Sequence, residues 1–207
     1  MITIKICGLT TLDDALWALE QGADYLGFVL YPESPRHVTL REFVRLKRAL
    51  PETARCVAVF VNEDAAMINR IAAECALAAV QIHGEEDPGD FSKLTVPVWR
   101  AIRWREGGWI PNPADWRPER FVLDAFSPAY GGTGLTVDWQ AAGPFAATHR
   151  AMLAGGLNPE NVGEAVRRVR PLGVDVASGV ESGPGRKDHR KVAAFIHAAR
   201  AADSQQP

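Results

Sequence analysis

Hydrophobic and polar positions along the chain follow two alternating periods, one typical of strands and one typical of helices. Short runs rich in β-branched and other apolar residues predict strands. Amphipathic stretches, with an apolar residue every three or four positions, separate most of these runs. The predicted strands cover residues 2–7, 23–30, 55–61, 77–82, 96–102, 120–124, 150–154 and 174–177. Strands that alternate with helices in this way imply a parallel sheet.

The number of these units predicts the fold class, an α/β protein built as a single (β/α)8 TIM barrel with eight parallel strands. The alternative is an open doubly wound sheet, but that fold usually has fewer strands, and no GxGxxG turn follows the first predicted strand. We expect one barrel domain over residues 1–202 and a frayed tail over residues 203–207. Residues 104–118, rich in Gly, Pro and Trp, predict a loop or a single turn instead of a helix.

Polar residues in front of the apolar stripes indicate where helices begin, because their side chains can accept hydrogen bonds from the first free backbone amides. Such residues predict helix starts at Thr11, at Thr39 (with Glu42 in a capping box), at Asn62, at Asn158 (before Pro159) and at Asp188.

Composition and charge exclude several classes of protein and partner. Apolar residues make up 47% and charged residues 23% of the 207 residues, which is ordinary for a folded globular protein. The 23 lysines and arginines against 25 aspartates and glutamates give a net charge of −2, so nothing indicates a nucleic-acid partner or a membrane surface. No apolar stretch approaches the roughly 18 residues that a membrane span needs. Three cysteines are too few for a disulfide framework, and we expect a cytoplasmic protein.

In a barrel of this kind, reactive side chains lie at the carboxyl ends of the strands and in the loops that follow them. Because neighbouring residues of a strand face opposite sides, Lys5 and Cys7 should face inward together, and Gln81 should share a face with His83. Asp124, at the end of the sixth predicted strand, should point to the barrel mouth. A thiol and a carboxyl at one mouth can act as a base and an acid.

Each of these residues also has a structural interpretation. Free cysteines are usually buried as small apolar groups, an aspartate can cap a helix, and a histidine is more often a hydrogen-bonded structural residue than a catalyst. Lys5 and Asp175 can pair inside the barrel, because either charge is costly to bury alone. The five histidines are scattered, and no CxxC or HxxxH spacing indicates a metal site.

Glycines cluster in three loops on the same predicted face of the barrel. Residues 131–134 read Gly-Gly-Thr-Gly, Gly155 and Gly156 end the seventh predicted strand, and Ser178 and Gly179 follow the eighth. Barrels commonly bind a phosphate with the loops after strands seven and eight, where backbone amides donate and glycine lets the oxygens approach closely. A simple turn explains one glycine pair well, but it explains three such loops on one face poorly.

Six short motifs occur in order along the chain. They read KICGLT at 5–10, SPRHV at 34–38, QIHG at 81–84, GGTG at 131–134 with Asp138 and Trp139, AGGL at 154–157, and SGVE at 178–181 with GRKD at 185–188. Together they closely resemble the phosphoribosylanthranilate isomerase family of tryptophan biosynthesis. No single motif is decisive, but six in order at the expected strand ends are highly specific.

The resemblance implies a single-domain (β/α)8 enzyme without cofactor or metal. It implies an Amadori rearrangement that converts N-(5-phosphoribosyl)anthranilate to 1-(2-carboxyphenylamino)-1-deoxyribulose 5-phosphate. In this chain Cys7 would be the general base, Asp124 the general acid and Arg36 the ligand of the anthranilate carboxylate. The other expected substrate-binding residues are His83, Gly132, Gly155, Gly156, Ser178 and Gly179. One departure is Ala177, where the family often has a second serine.

This chemistry sets two electrostatic expectations. Asp124 must hold a proton near neutral pH, so we expect burial to raise its pKa. Lys5, or the cationic imine of the opened substrate, can lower the pKa of Cys7. We expect a small phosphosugar as the partner, and either a monomer or a homodimer.

Two other functions stay open at this point. One is the related phosphosugar isomerase of the histidine pathway, for which we would expect aspartates at the ends of strands one and five. The other is a non-catalytic phosphosugar-binding barrel, which needs neither the thiol nor the carboxyl.

Overall fold

Strands and helices alternate along the chain in the computed structural model, which describes residues 1–125 and 136–205. The strands of the described part are β1 Thr3–Ile6, β2 Tyr25–Val29, β3 Cys56–Phe60, β4 Ala79–Ile82, β5 Val98–Arg105, β6 Gly108–Ile110, β7 Arg120–Asp124, β8 Ala151–Leu153, β9 Gly173–Val176, β10 Glu181–Gly183 and β11 Arg186–Lys187. Its α-helices are α1 Leu12–Glu20, α2 Leu40–Ala49, α3 Ala65–Glu74, α4 Pro88–Phe91, α5 Trp139–Thr148, α6 Val162–Val169 and α7 His189–Ser204.

Eight of these strands close into a parallel barrel, which confirms the predicted fold class. Around the barrel, β1 to β5 follow one another, then come β7, β8 and β9, and β9 pairs with β1. Pairing of β4 with β5 completes the ring. Where β9, the last strand of the barrel, meets β1, Lys5 lies directly opposite Asp175.

The core has two layers, as the alternation of strand residues requires. The barrel interior contains Tyr25, Val57, Ala79, Trp99, Ala101, Val122, Met152 and Ala154, all buried. The other faces of the strands pack against the helices, where Ile4, Phe28, Phe43 and Phe195 are fully buried. Burial of each such side chain contributes about 1.5–3 kcal/mol, so the two layers together support the ring of strands.

Three of the predicted helix starts are confirmed by side-chain caps. Thr11 accepts a hydrogen bond from the amide of Asp14 at 3.2 Å. Thr39 and Glu42 form the complete capping box at the start of α2. The Asp188 carboxylate accepts from two amides in the first turn of α7.

Two predicted helix starts are wrong, one by two residues and the other by three. Asn62 has a positive φ of 54°, and its Oδ1 accepts instead from the amide of Glu85 at 2.8 Å, so Asp64 caps α3. Asn158 accepts from the backbone amide three residues later, and that bond closes a turn. The helix α6 therefore begins only at Val162.

The segment 104–118 contains no α-helix, as predicted, but it is more ordered than a single turn. β5 extends to Arg105 and forms an antiparallel hairpin with β6, and a 3₁₀ turn follows at Pro113–Asp115. The rings of Trp104 and Trp109 face each other across the hairpin, with their centroids 5.2 Å apart. Aromatic cross-strand pairs of this kind stabilise a hairpin, and this one accounts for two of the three tryptophans of the segment.

The predicted boundary of the domain at residue 202 falls inside α7, which continues to Ser204. Asp203 accepts a hydrogen bond from the amide of Ile2 at 2.7 Å, and Arg200 donates to the carbonyl of Ile2. The C-terminal helix is thereby joined to the start of β1, so the frayed tail does not begin at residue 203. Among the described residues, no helix is long and apolar enough to cross a membrane.

Candidate active site

The wall of the barrel mouth at β1 carries Lys5 and Cys7 on one face, as the alternation predicted. A Cβ added at Gly27 of β2 would lie 2.7 Å from Sγ of Cys7 and 3.0 Å from Cε of Lys5, so both side chains lie over this glycine. The amide of Cys7 donates to the carbonyl of Val176 at 2.8 Å. Cys7 is therefore held by a hydrogen bond to β9 on one side, and its side chain fits against Gly27 on the other.

Lys5 and Asp175 form a buried ion pair directly below Cys7. The distance from Nζ of Lys5 to Oδ2 of Asp175 is 2.7 Å, and the Lys5 side chain is fully buried. Burial lowers the pKa of Lys5, but Asp175 and Cys7 raise it more, so that it lies above its ordinary value. Lys5 therefore keeps its charge inside the barrel.

Burial has the larger effect on Cys7. It raises the pKa of the thiol, and the positive charges of Lys5 and Lys187 lower that pKa only in part. Lys5 thus acts in the expected direction, but the pKa of Cys7 stays above its ordinary value. In the free protein Cys7 is therefore predominantly a thiol at neutral pH.

Asp124 ends β7, and both of its carboxylate oxygens have neighbours. Oδ1 accepts from the amide of Ala125 at 2.8 Å, and Oδ2 lies 3.3 Å from Nε2 of His83, an ion-pair distance without the alignment of a good hydrogen bond. Burial raises the pKa of Asp124, but His83, the Ala125 amide and Arg103 lower it more. The expectation of a raised pKa is wrong for the free protein, because these donors stabilise the carboxylate.

His83 is oriented toward Asp124 by its neighbour in β4. Nδ1 of the ring lies 3.2 Å from Nε2 of Gln81, and both residues are buried on the same face. With the amide nitrogen donating to Nδ1, the ring proton of a neutral imidazole lies on Nε2, toward Asp124. His83 thus presents a proton to the carboxylate.

Two arginines of β5 support the loop that carries His83, and the sequence interpretation gave neither a role. Arg103 donates to the carbonyl of His83. The fully buried Arg100 donates to the carbonyl of Gly84 at 2.6 Å and to Glu86 at 2.7 Å. A charged residue between apolar neighbours of a strand is the signal that could have indicated Arg100, because such a charge needs a buried partner.

Arg36 is held by Glu181, the last residue of the SGVE motif, for which the sequence predicted no role. Nε and Nη2 of Arg36 donate to the two carboxylate oxygens of Glu181 at 2.8 and 2.7 Å. This side-on pair leaves the end-on edge of the guanidinium for a second carboxylate. Gly8 makes room for the arginine, because a Cβ there would lie 2.5 Å from Cδ of Arg36.

Lys187 is the second cation on Glu181. Its Nζ donates to Oε1 of Glu181 and to the carbonyl of Ala177, both at 3.0 Å, and its side chain is fully buried. Burial raises the pKa of Glu181, but the hydrogen bonds from Arg36 and Lys187 lower it more. Glu181 is therefore an anion shared by two cations.

The loops after β8 and β9 have the backbone that the glycine pattern predicted. Gly155 and Gly156 have φ values of 68° and 64°, in the region that favours glycine. Gly179 packs on the backbone of Leu157, where a Cβ would overlap the carbonyl oxygen. Ser178 opens the 3₁₀ turn Ser178–Val180 beside it. The two loops thus meet at one side of the mouth, whereas Gly132 lies outside the described residues.

One cluster of possible metal ligands occurs among the described residues, although the sequence spacing indicated none. Ligand atoms of Asp13, Asp14 and His189 lie within 4.8 Å of one another. His189 Nε2 already lies 2.9 Å from Asp14, and the ring stacks on Trp17. Oδ2 of Asp14 accepts from the amide of Lys187 at 3.2 Å, so these contacts account for the cluster as part of the structure.

Comparison with known proteins gives a consistent result. The family model described as N-(5'phosphoribosyl)anthranilate (PRA) isomerase matches residues 4–198. An N-(5'-phosphoribosyl)anthranilate isomerase of Trichlorobacter lovleyi is 48% identical over 204 residues, which are 98% of this chain and 100% of the relative.

Two solved structures are similar along the same length. One contains monomers generated from the dimeric phosphoribosylanthranilate isomerase of Thermotoga maritima, with a TM-score of 0.82 and 39% identity. The other is a phosphoribosyl anthranilate isomerase in complex with reduced 1-(o-carboxyphenylamino)-1-deoxyribulose 5-phosphate, with a TM-score of 0.82 and 38% identity. Each alignment covers 97% of this chain and 100% of the other.

The glycine geometry predicts where an anion binds. Gly179→Ala should weaken binding of inorganic phosphate by about tenfold or more, because the added Cβ separates the two loops and removes backbone donors from the anion. Isothermal titration calorimetry measures this change. Gly183→Ala is the matched control, because no atom lies within 4 Å of a Cβ at that position. Equal phosphate affinity in both folded variants would place the anion elsewhere.

Proposed function

The chain belongs to the N-(5'-phosphoribosyl)anthranilate isomerase family, and we propose that Cys7 and Asp124 are the base and the acid of its reaction. The protein is an isomerase of tryptophan biosynthesis. Its substrate is a phosphosugar that carries an anthranilate group, and the reaction is the Amadori rearrangement to the corresponding 1-deoxyribulose 5-phosphate.

One observation carries this assignment of roles. The thiol of Cys7 and the carboxyl of Asp124 stand at the carboxyl ends of β1 and β7, so both belong to one mouth of the barrel. Each has a polar neighbour, the Lys5 ammonium for the thiol and the His83 ring for the carboxyl. Simple packing or helix capping would require neither neighbour.

The first step is opening of the ribose ring. A proton from Asp124 reaches the ring oxygen, the bond from that oxygen to C1′ breaks, and the lone pair of the anthranilate nitrogen forms the C1′=N⁺ bond of an iminium ion. His83 then faces a carboxylate, which is the state that its Nε2 proton stabilises. The contact that lowers the pKa of Asp124 therefore also stabilises the product of this step.

The second step is proton removal from C2′. The iminium ion acidifies this C–H bond, and the Cys7 thiolate takes the proton while the electron pair forms the C1′=C2′ bond of an enolamine. Transfer of the hydroxyl proton of C2′ and protonation of C1′ then give the ketone. The cationic iminium next to the sulfur lowers the pKa of Cys7 when the base is needed.

Arg36 and the glycine loops hold the two anionic ends of the substrate. With its side-on edge on Glu181, Arg36 can offer two parallel donors to the anthranilate carboxylate. The loops at Gly155–Gly156 and Ser178–Gly179 can offer backbone amides to the phosphate. His83 and Gly132 are further predicted contacts of the substrate. Fixing both ends brings C2′ to the thiol.

The other functions considered are less well supported. Strand β1 leads to Cys7 and β5 carries Arg103 at the mouth, where an isomerase of the histidine pathway was expected to have two aspartates. The dimeric Thermotoga maritima relative supports the homodimer among the two expected assemblies. A biosynthetic role supports the cytoplasm as the location.

Removal of either proposed catalytic group should abolish most turnover. We expect Cys7→Ala and Asp124→Asn each to lower kcat by about 10²- to 10⁴-fold or more, because each deletes a proton-transfer group. The rate is measured by fluorescence with phosphoribosylanthranilate formed in the assay. Cys75→Ala is the control, since this buried cysteine ends α3 away from the mouth. Near-normal turnover of Cys7→Ala would remove its role and leave the non-catalytic barrel as the better interpretation.

Loss of the proposed carboxylate ligand should act on binding. Arg36→Met should raise KM by about 10- to 100-fold with a smaller change in kcat, because the charge-assisted contact is present in both the ground state and the transition state. Exposed Arg41→Met serves as the control for removal of an arginine. An unchanged KM in the Arg36 variant would contradict the carboxylate contact.

The pKa shifts predict an unusual pH profile. The active form has a Cys7 thiolate and a protonated Asp124, whereas the abundant form has the thiol and the carboxylate. The two forms bind equal numbers of protons, so their ratio is independent of pH between the lowered pKa of Asp124 and the raised pKa of Cys7. We therefore expect kcat/KM to be flat from about pH 7 to about pH 8.5. A tenfold rise per pH unit in that range would mean that only the thiolate is required.

A further inference from the structure

Three buried cations lie near the end of β1 that leads to Cys7. Lys5 precedes it by two residues on β1, and Arg36 packs on the adjacent Gly8. Lys187 on β11 reaches the carbonyl of Ala177 at 3.0 Å. Ala177 follows Val176, whose carbonyl accepts from the amide of Cys7, so Lys187 and Cys7 contact consecutive carbonyls at the end of β9.

Two carboxylates accompany these three cations among the described residues. Asp175 balances Lys5 at 2.7 Å. Glu181 has to serve both Arg36 at 2.7 Å and Lys187 at 3.0 Å. One positive charge is therefore left over in a buried cluster, and an unbalanced buried charge is costly. A third negative charge would balance the cluster, and the Cys7 thiol is the ionisable group whose anion both Lys5 and Lys187 stabilise.

Lys187 is the cation with the weakest compensation. Lys5 has a carboxylate to itself, and Arg36 takes both oxygens of Glu181 in a side-on pair. Lys187 has one oxygen of that same glutamate and a neutral carbonyl. We propose that Lys187 is a positioning residue for the reaction, and that its ammonium group is a second counter-ion of the Cys7 thiolate beside Lys5, whose own charge Asp175 balances.

The titration behaviour of the cluster supports this assignment. The pKa values of Arg36 and Lys5 are raised, the first through hydrogen bonds to Glu181, whereas burial leaves the pKa of Lys187 below its ordinary value. Lys187 and Cys7 each stabilise the charged form of the other, and Lys5 stabilises the thiolate more strongly through its charge and a hydrogen bond. Asp175 opposes the thiolate, so the groups that face Cys7 are Lys5, Arg36 and Lys187 on the favourable side and Asp175 on the unfavourable side.

The inference rests on the proposed role of Cys7, but it is tested by titration of the sulfur itself. Thiolate formation is followed by far-ultraviolet absorbance as the pH is raised, with the Cys7→Ala protein subtracted so that only Cys7 contributes. In Lys187→Met we expect the pKa of Cys7 to rise by about one unit. The value of kcat/KM should then fall by about tenfold at every pH of the flat region, since the thiolate form becomes rarer by that factor.

Matched variants separate this role from support of the fold. Lys191→Met removes a lysine whose ammonium group donates to the backbone carbonyl of Glu181, and it should leave the titration of Cys7 unchanged. Lys187→Arg keeps the charge and should restore most of the shift. A Lys187→Met protein with a higher KM but an unchanged Cys7 titration would show that Lys187 only supports Glu181 and Arg36, and the inference would be overturned. If the titration shifts while Cys7→Ala keeps its turnover, the proposed function fails instead.

Discussion

The barrel closes where the last strand meets the first, and at that seam β1 and β9 carry opposite charges at the same level. Lys5 and Asp175 are paired across the seam at 2.7 Å, with both side chains buried. Breaking a buried pair by removing one partner costs about 3–5 kcal/mol, because the other charge is then left without compensation. The pair thus joins the first and the last strand of the barrel in register. It also places a cation beneath Cys7, so that closure of the fold and placement of the thiol depend on one interaction.

The same burial that fixes the thiol also keeps it protonated. The pKa of the Cys7 thiol lies above its ordinary value, and the pKa of the Asp124 carboxyl lies below its ordinary value. The two pKa values therefore differ by at least as much as those of free cysteine and aspartate, which are about 4.6 units apart. The doubly reactive form of the free enzyme is then about 10⁻⁵ of the whole or less. Binding of the substrate must therefore raise the population of this form. Its phosphate and carboxylate favour the proton on Asp124, and its iminium ion favours the thiolate. The reactive protonation state would therefore form mainly when the substrate is present, which limits unwanted reactions of the thiol.

Strand alternation and loop composition were enough to predict the fold class, the inward faces of Lys5 and Cys7, and the glycine backbone at Gly155 and Gly156. These features depend on local rules, namely a period of two and the need for glycine at a positive φ. The sign of the pKa shift of Asp124 depends instead on the ring of His83, which lies 41 positions earlier in the numbering of the chain. Such a contact is set by the closed barrel, and no local pattern encodes it. The pairing of Glu181 with Arg36 could not be predicted from the sequence for the same reason.

At position 177 the contact at the barrel mouth is made by a backbone atom and not by the side chain. Ala177 lacks the hydroxyl that the family often has at this position, next to the expected phosphate loop. In the structure its carbonyl oxygen accepts from Lys187, and that contact needs no particular side chain. The neighbouring Gly179, by contrast, tolerates no Cβ against the backbone of Leu157. The charged cluster and the loop contact thus depend on main-chain atoms of residues 177 and 179, so an alanine at 177 leaves both intact.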